Sequence, residues 1–243
     1  MKRAGRGVSP LVSLVITTSI TLAIIVAIAY YAAINLELTV EQAEFDKARA
    51  ALSTLRNYFI NSISSGEGGS VEIPSRTLIF EFVDLDCELI VNVSQTTTLV
   101  VRRIDQREIA VYGGPLASVP EATGSSSLVV ESPLDIVSLS SGWDSDMGRP
   151  YAKLNFSRVS IRECEYAGFK VLEVTYLNVT RTISGSSGVV VVHPAVFSIS
   201  EWNVSKLETL YVNVTLDGRA NICPFTGVDV VRVVEVTVEV EVS

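Results

Sequence analysis

The chain has one histidine, three cysteines, two methionines and two tryptophans in 243 residues. Each scarcity excludes something. Cys87, Cys164 and Cys223 make no C-x-x-C pair, so no zinc motif stands behind them. There is no glycine-rich phosphate loop and no internal repeat. The lone histidine, His193, lies in Val-Val-Val-Val-His-Pro-Ala-Val, where a strand residue near a core is expected rather than a catalyst. No nucleophile elbow accompanies it, so the sequence predicts a protein that is not an enzyme and carries no cofactor. Two further absences concern the N-terminal part. Between Arg6 and Glu37 there are 30 consecutive residues without a charge. Between Val8 and Ser65, Pro10 is the one proline and there is no glycine.

The run from Leu11 to Ile34, 24 residues rich in Leu, Ile, Val and Ala, exceeds the roughly 20 residues a helix needs to cross the hydrocarbon of a bilayer. It is also longer than the roughly 7–15 apolar residues of a secretory signal, and no A-x-A site interrupts it cleanly. Ser13, Thr17, Thr18, Ser19 and Thr21 do not forbid a span, because their hydroxyls can bond back to helix carbonyls. Lys2, Arg3 and Arg6 precede the run without any acid. The positive-inside bias then keeps the N-terminus cytoplasmic and places the chain beyond Asn35 outside.

The string Arg6-Gly7-Val8-Ser9-Pro10-Leu11, followed at once by the apolar run, resembles the class III signal of archaeal type IV pilins. The resemblance covers about residues 2–34. It implies that residues 1–7 are a leader, cut by a prepilin peptidase between Gly7 and Val8, and that the apolar helix stays in the mature chain. Pro10 would be the third mature residue, a place where proline suits a first helical turn. Bacterial pilins usually carry a glutamate at mature position five. Here that position is Val12, as is common in archaeal members.

From Glu37 onward the pattern becomes amphipathic. Phe45, Ala48, Leu52, Leu55 and Phe59 fall at helical spacing, with Glu37, Glu41, Glu44, Asp46, Lys47, Arg49 and Arg56 on other faces. One helix is therefore expected over 8–63, about 80 Å long at about 1.5 Å per residue, with 11–34 as its membrane or filament-core segment. The glycines and serines at 62–70 end it, and 64–70 reads as a flexible linker.

Residues 71–243 read as a single β-rich head, sandwich-like, so the expected class is α+β. Strand-like runs are Arg76–Val83, Glu88–Val93, Thr97–Ile104, Arg107–Tyr112, Ser127–Glu131, Leu134–Leu139, Tyr151–Ile161, Phe169–Thr182, Val189–Ser198, Leu207–Leu216 and Val228–Val242. In the last of these, valines alternate with Glu235, Thr237, Glu239 and Glu241, which predicts one buried and one wet face. The region from Glu37 onward has 16 basic and 27 acidic side chains, a net of −11, which argues against nucleic acid as a partner.

Five of the head's six asparagines begin an N-x-S/T sequon: Asn92, Asn155, Asn178, Asn203 and Asn213. With 45 Ser and Thr in the chain, chance predicts about one. Asn35, Asn57 and Asn61 on the helix begin none, which fits glycans on an exposed head and none on a packing helix. The extracytoplasmic setting also allows one disulfide among Cys87, Cys164 and Cys223, with no pairing preferred; small buried thiols are the alternative. Asp84, Asp86 and Glu88 alternate as a cation-holding strand face would, or as a solvated acidic patch. Asp144-Ser-Asp146-Met-Gly148 has the start of a calcium loop without its later ligands. Trp143 and Trp202 fit sugar contacts or ordinary loop and core positions.

Together these readings predict a structural subunit, major or minor, of an archaeal type IV pilus-like surface filament. Its helix would polymerise with copies of itself or related pilins, after membrane residence. Its head would be glycosylated, with adhesion as a further role open to it. The alternative is a single-pass membrane-anchored surface protein whose β head binds a ligand without polymerising.

Overall fold

In the computed structural model the described residues are 10–73, 78–94, 98–119, 127–183, 188–204, 206 and 208–242, with backbone alone at 86 and 183. The basic leader and the Gly7–Val8 bond lie outside them, as does part of the strand expected from Arg76. The class is α+β: one helix, α1 (Pro10–Ser65), followed by strands in two sheets. Pro10 opens α1 at a position where its missing N–H costs nothing. Gly66 closes it with φ +71° and an N–H donated to the Ser62 carbonyl at 3.2 Å, the left-handed stop that glycine adopts without strain.

One sheet has six strands in the order β12 (Arg219–Phe225), β11 (Leu210–Leu216), β2 (Ile79–Ser94), β3 (Thr98–Tyr112), β6 (Arg149–Asn155) and β5 (Ser138–Asp144). The other has seven: β1 (Gly69–Glu72), β9 (Val189–Val192), β13 (Val230–Val242), β8 (Phe169–Ile183), β7 (Val159–Tyr166) and β4 (Val129–Val130), with β10 (Val196–Asn203) also paired to β13. β13 runs parallel to β8, and β4 to β7; the other pairings are antiparallel. Two tight hairpins, β7–β8 and β11–β12, turn on Ala167-Gly168 and Asp217-Gly218, all four residues at positive φ. That is the backbone twist a two-residue hairpin loop prefers.

Among the described residues the head has two cores. The proximal one gathers Phe45, Ala48, Leu52, Leu55 and Phe59 of α1 with residues of both sheets, including Ile109, Val111, Val179 and Val238. Phe59 and Phe156 pack with ring centroids 4.8 Å apart. The distal core is sheet against sheet and includes Val91, Val93, Leu172, Val212 and Val233, with no residue of α1. Four long strands serve both cores and change faces between them. On β8, Leu172, Val174 and Tyr176 enter the distal core, whereas Leu177 and Val179 enter the proximal one. On β13 the switch falls between Val233 and Val234. The parallel register of the pair runs unbroken from Val230↔Val171 to Glu241↔Thr182. Successive side chains point to opposite faces, so the two cores lie on opposite faces of this pair. On β2 and β3 the change coincides with a bulge between Asp84 and Glu88.

The helix stripe and the alternation in the final strand are as the sequence predicts, with Val234, Val236, Val238 and Val240 buried and Glu239 exposed. Other readings change. The paired runs within 76–93 and 97–112 are the single strands β2 and β3. The run 189–198 is broken at His193-Pro194-Ala195 into β9 and β10. The segment 140–150, which lies between two of the expected runs and carries Gly142, Gly148 and Pro150, supplies most of β5 and the start of β6. Residues 64–70, read as a linker, contain the end of α1 and the start of β1. Gly68 and Gly69 are held closely: an added Cβ would meet the Val192 carbonyl oxygen at 2.2 Å and the Tyr58 ring at 2.3 Å.

Candidate assembly surface

α1 divides sharply in its surroundings. Residues 10–40 are exposed throughout apart from a half-exposed Ile34, and burial begins at Glu41. This uncovered half is apolar, with Leu11, Leu14, Leu22, Ile28, Tyr30 and Tyr31 each more than 60 % exposed. Most of its polar side chains are satisfied within the helix. Thr17, Thr18, Ser19 and Thr21 donate their hydroxyls to the carbonyls of Ser13, Leu14, Val15 and Thr17 at 2.8–2.9 Å. Asn35 and Thr39 likewise bond back to Tyr31 and Asn35. These groups therefore do not oppose an apolar surrounding. The helix is long and apolar enough to anchor the protein in a membrane. Tyr30 and Tyr31 follow Leu11 by about 30 Å of helix, the thickness of a bilayer's hydrocarbon.

The change from bare to buried is made by a neck. The loop after β3, Gly113 to Ser118, wraps the helix and bonds to two consecutive side chains. Glu41 Oε2 accepts the Leu116 N–H at 2.8 Å. Gln42 Oε1 accepts the Ser118 N–H at 2.8 Å, and its Nε2 donates back to the Ser118 carbonyl at 3.3 Å. Glu41 is buried, so the loop must come close. A Cβ on Gly114 would lie 2.2 Å from Glu41 Oε2, and one on Gly113 would lie 2.9 Å from the Phe45 ring. Further along, Arg56 Nε donates to the Val137 carbonyl at 2.9 Å and Ser62 Oγ to the His193 carbonyl at 3.0 Å. The head is thus fastened along the whole second half of the helix. The apolar stripe was readable from sequence; the neck was not, since its signal is a Gly-Gly pair more than 70 residues from the side chains it serves.

The five sequon asparagines are scattered and differently engaged. Asn155 Nδ2 donates to Glu108 Oε1 at 2.9 Å, while its Oδ1 accepts the Ser157 N–H at 2.7 Å and also the Ser157 hydroxyl. Glu108 in turn meets Lys153 Nζ at 3.6 Å. Burial pulls the Lys153 pKa down, but Glu108 and Tyr112 outweigh it and the net shift is upward. Asn178 Nδ2 donates to Glu235 Oε1 at 3.2 Å. Asn92 and Asn213 are direct register partners on β2 and β11. Asn213 Oδ1 accepts the Thr215 hydroxyl at 3.3 Å, and Asn92 Oδ1 is buried without a hydrogen-bond partner. Asn203, the last residue of β10, is exposed.

Cys87, Cys164 and Cys223 lie on three different strands, β2, β7 and β12, and no disulfide joins them in this fold, which leaves the alternative of small, partly buried thiols. Each is half-buried, and burial raises the Cys223 pKa. The expected acidic face at Asp84 and Glu88 is interrupted by the β2 bulge, and Asp84 pairs with Arg107 Nε at 2.8 Å beside a cleft of about 630 Å³. The side chain of Asp86 is outside the described set. Asp144 Oδ1 accepts the N–H groups of Asp146 and Met147, both at 3.0 Å, and so caps the β5–β6 turn that Gly148 completes at φ +62°. Among the described residues no group of three or more His, Cys, Asp and Glu is placed to hold a metal. His193 Nε2 faces Glu241 Oε2 at 3.4 Å, Trp143 is exposed on β5, and Trp202 packs against the distal core.

No family model, no curated protein and no solved structure matches the chain. Among the described residues, the uncovered half of α1 is the longest apolar surface that the fold leaves without a partner.

Proposed function

We propose that this chain is a subunit of a type IV pilus-like surface filament of the archaeal kind, cut by a prepilin peptidase between Gly7 and Val8 and assembled through residues 10–40. The observation that carries the reading is the continuity of α1: one unbroken helix grips the head with its second half and leaves its first half apolar and uncovered. Before assembly that half resides in the membrane with the leader on the cytoplasmic side. On assembly, copies of the same helix, or the helices of related pilins, pack against it and replace lipid by side-chain contact. The internally satisfied Ser and Thr hydroxyls suit both settings. The acidic head then faces the medium, where its net charge favours solubility and not nucleic-acid binding.

N-terminal sequencing of the protein isolated from its native cells tests this directly. A mature chain beginning at Val8 is the expected result. A chain that keeps Met1 sinks the filament reading and leaves the single-pass anchor, whose head binds a ligand without polymerising; the Tyr30–Tyr31 pair suits that reading equally.

A further inference from the structure

We infer that the sequons are not equivalent and that Asn203 is the position of the head that carries a glycan, while Asn155 and Asn178 carry none and Asn92 and Asn213 are never both occupied on one molecule. The inference rests on the extracytoplasmic placement of the head proposed above, and not on polymerisation.

Attachment of a sugar joins the first sugar carbon to the asparagine Nδ2, replacing one N–H hydrogen and displacing the sugar's leaving group from an activated glycan donor. The Nδ2 must therefore be reachable, and the space beyond it must be open. Asn155 and Asn178 fail on both counts. Both are half-buried, and in each the Nδ2 is turned onto a carboxylate of the neighbouring strand, Glu108 on β3 and Glu235 on β13. Glu108 is held by Lys153 and Glu235 by the Tyr176 hydroxyl, so the acceptors are fixed from the other side as well. A sugar at either asparagine would have to take the place of a fixed carboxylate.

Asn92 and Asn213 fail as a pair. Directly opposed residues on antiparallel strands have Cβ atoms about 4.5–5.5 Å apart, which leaves no room for two pyranose rings side by side. A sugar on one covers the other.

Asn203 differs in each respect. It is exposed and ends β10, which among the described residues is an edge strand paired on one side with β13. The face it shares also has a use for a glycan. Phe197, Ile199, Glu201 and Asn203 alternate along β10 and point the same way. Phe197 and Ile199 are 46 % and 59 % exposed, an apolar stretch on a sheet edge of the kind that invites pairing with another chain. Asn203 stands about 13 Å from Ile199 along the strand, within reach of a short oligosaccharide.

The test is glycopeptide mapping, together with intact mass, on the full chain purified from the cells that make it. The expected result is a glycan on the Asn203 peptide, unmodified Asn155 and Asn178 peptides, and no molecule bearing sugars at both Asn92 and Asn213. Asn203→Gln removes one glycan mass and leaves the other peptides unchanged. An unmodified Asn203, a glycan at Asn155 or Asn178, or a doubly occupied Asn92/Asn213 pair overturns the assignment, whatever the N-terminus. A glycan at Asn203 in a chain that keeps Met1 overturns the filament reading alone.

Discussion

The Glu41 carboxylate accepts the backbone N–H of Leu116 at 2.8 Å, at the residue where α1 passes from bare to buried. The contact joins positions 75 residues apart in the chain and requires glycine at position 114. Gly114→Ala is therefore expected to open the neck. Loss of a buried hydrogen bond to a charged group costs about 1–3 kcal/mol. Denaturant unfolding of the detergent-solubilised protein should show that loss for Gly114→Ala and for Glu41→Ala. Equal stability of Gly114→Ala and the parent would mean that the loop does not close on the helix.

The two halves of α1 should respond oppositely to truncation. Leu52 is fully buried in the proximal core, and Leu52→Ala is expected to lower head stability by about 2–5 kcal/mol. Leu22 is 63 % exposed, and Leu22→Ala should leave head unfolding unchanged. In the filament reading it should instead reduce the yield of assembled filaments, measured by sedimentation of sheared cell-surface material.

Tyr176 predicts an alkaline limb in the stability profile. Burial, and then the Glu235 carboxylate, raise the pKa of its hydroxyl above the ordinary value of 10.0. Below pH 10 the tyrosine is neutral in both folded and unfolded chains and contributes no pH dependence. Above it the unfolded chain ionises while the folded one resists, so stability falls as pH rises. Tyr176→Phe should flatten that limb when melting temperature is followed from about pH 8 to about pH 11.

Across the four strands β7, β8, β13 and β10 runs an alternating row of charges. Arg162 Nε donates to Glu173 Oε1 at 2.8 Å, Arg232 lies 3.6 Å from Glu173 Oε2, and Arg232 Nε donates to Glu201 Oε1 at 2.7 Å. The bond to Glu201 raises the Arg232 pKa. Glu173 is 8 % exposed, and the two arginines flank its carboxylate from either side. Arg232→Ala should cost about 1–3 kcal/mol. Adding Glu173→Gln to it should recover part of that loss in a double-mutant cycle. A cycle with no coupling between the two positions would contradict the row.

What the sequence made legible comes from period. The spacing of Phe45, Ala48, Leu52, Leu55 and Phe59 and the alternation in β13 are local patterns that one buried face imposes. The second core was illegible for the same reason. A strand that serves two cores on opposite faces shifts its buried parity midway, as at Val233 and Val234, and no single period describes it. β12 was missed because Arg219–Phe225 carries Asn221 and Pro224 and only Cys223 and Phe225 of it pack against the distal core. At the sequons the motif was plain, but the direction of each Nδ2 was not, because Glu108 and Glu235 lie 47 and 57 residues from the asparagines they hold.

Between Pro10 and Gly66 the helix has no glycine, no further proline and no break. Such a column has no hinge at the neck. The tilt of the bare half and the tilt of the head are one quantity, and so is their rotation about the helix axis. In the filament reading, any packing angle that neighbours impose on residues 10–40 would be passed outward as the angle at which each head is displayed. A pull applied to the head returns along the same backbone to the base, without a joint to absorb it.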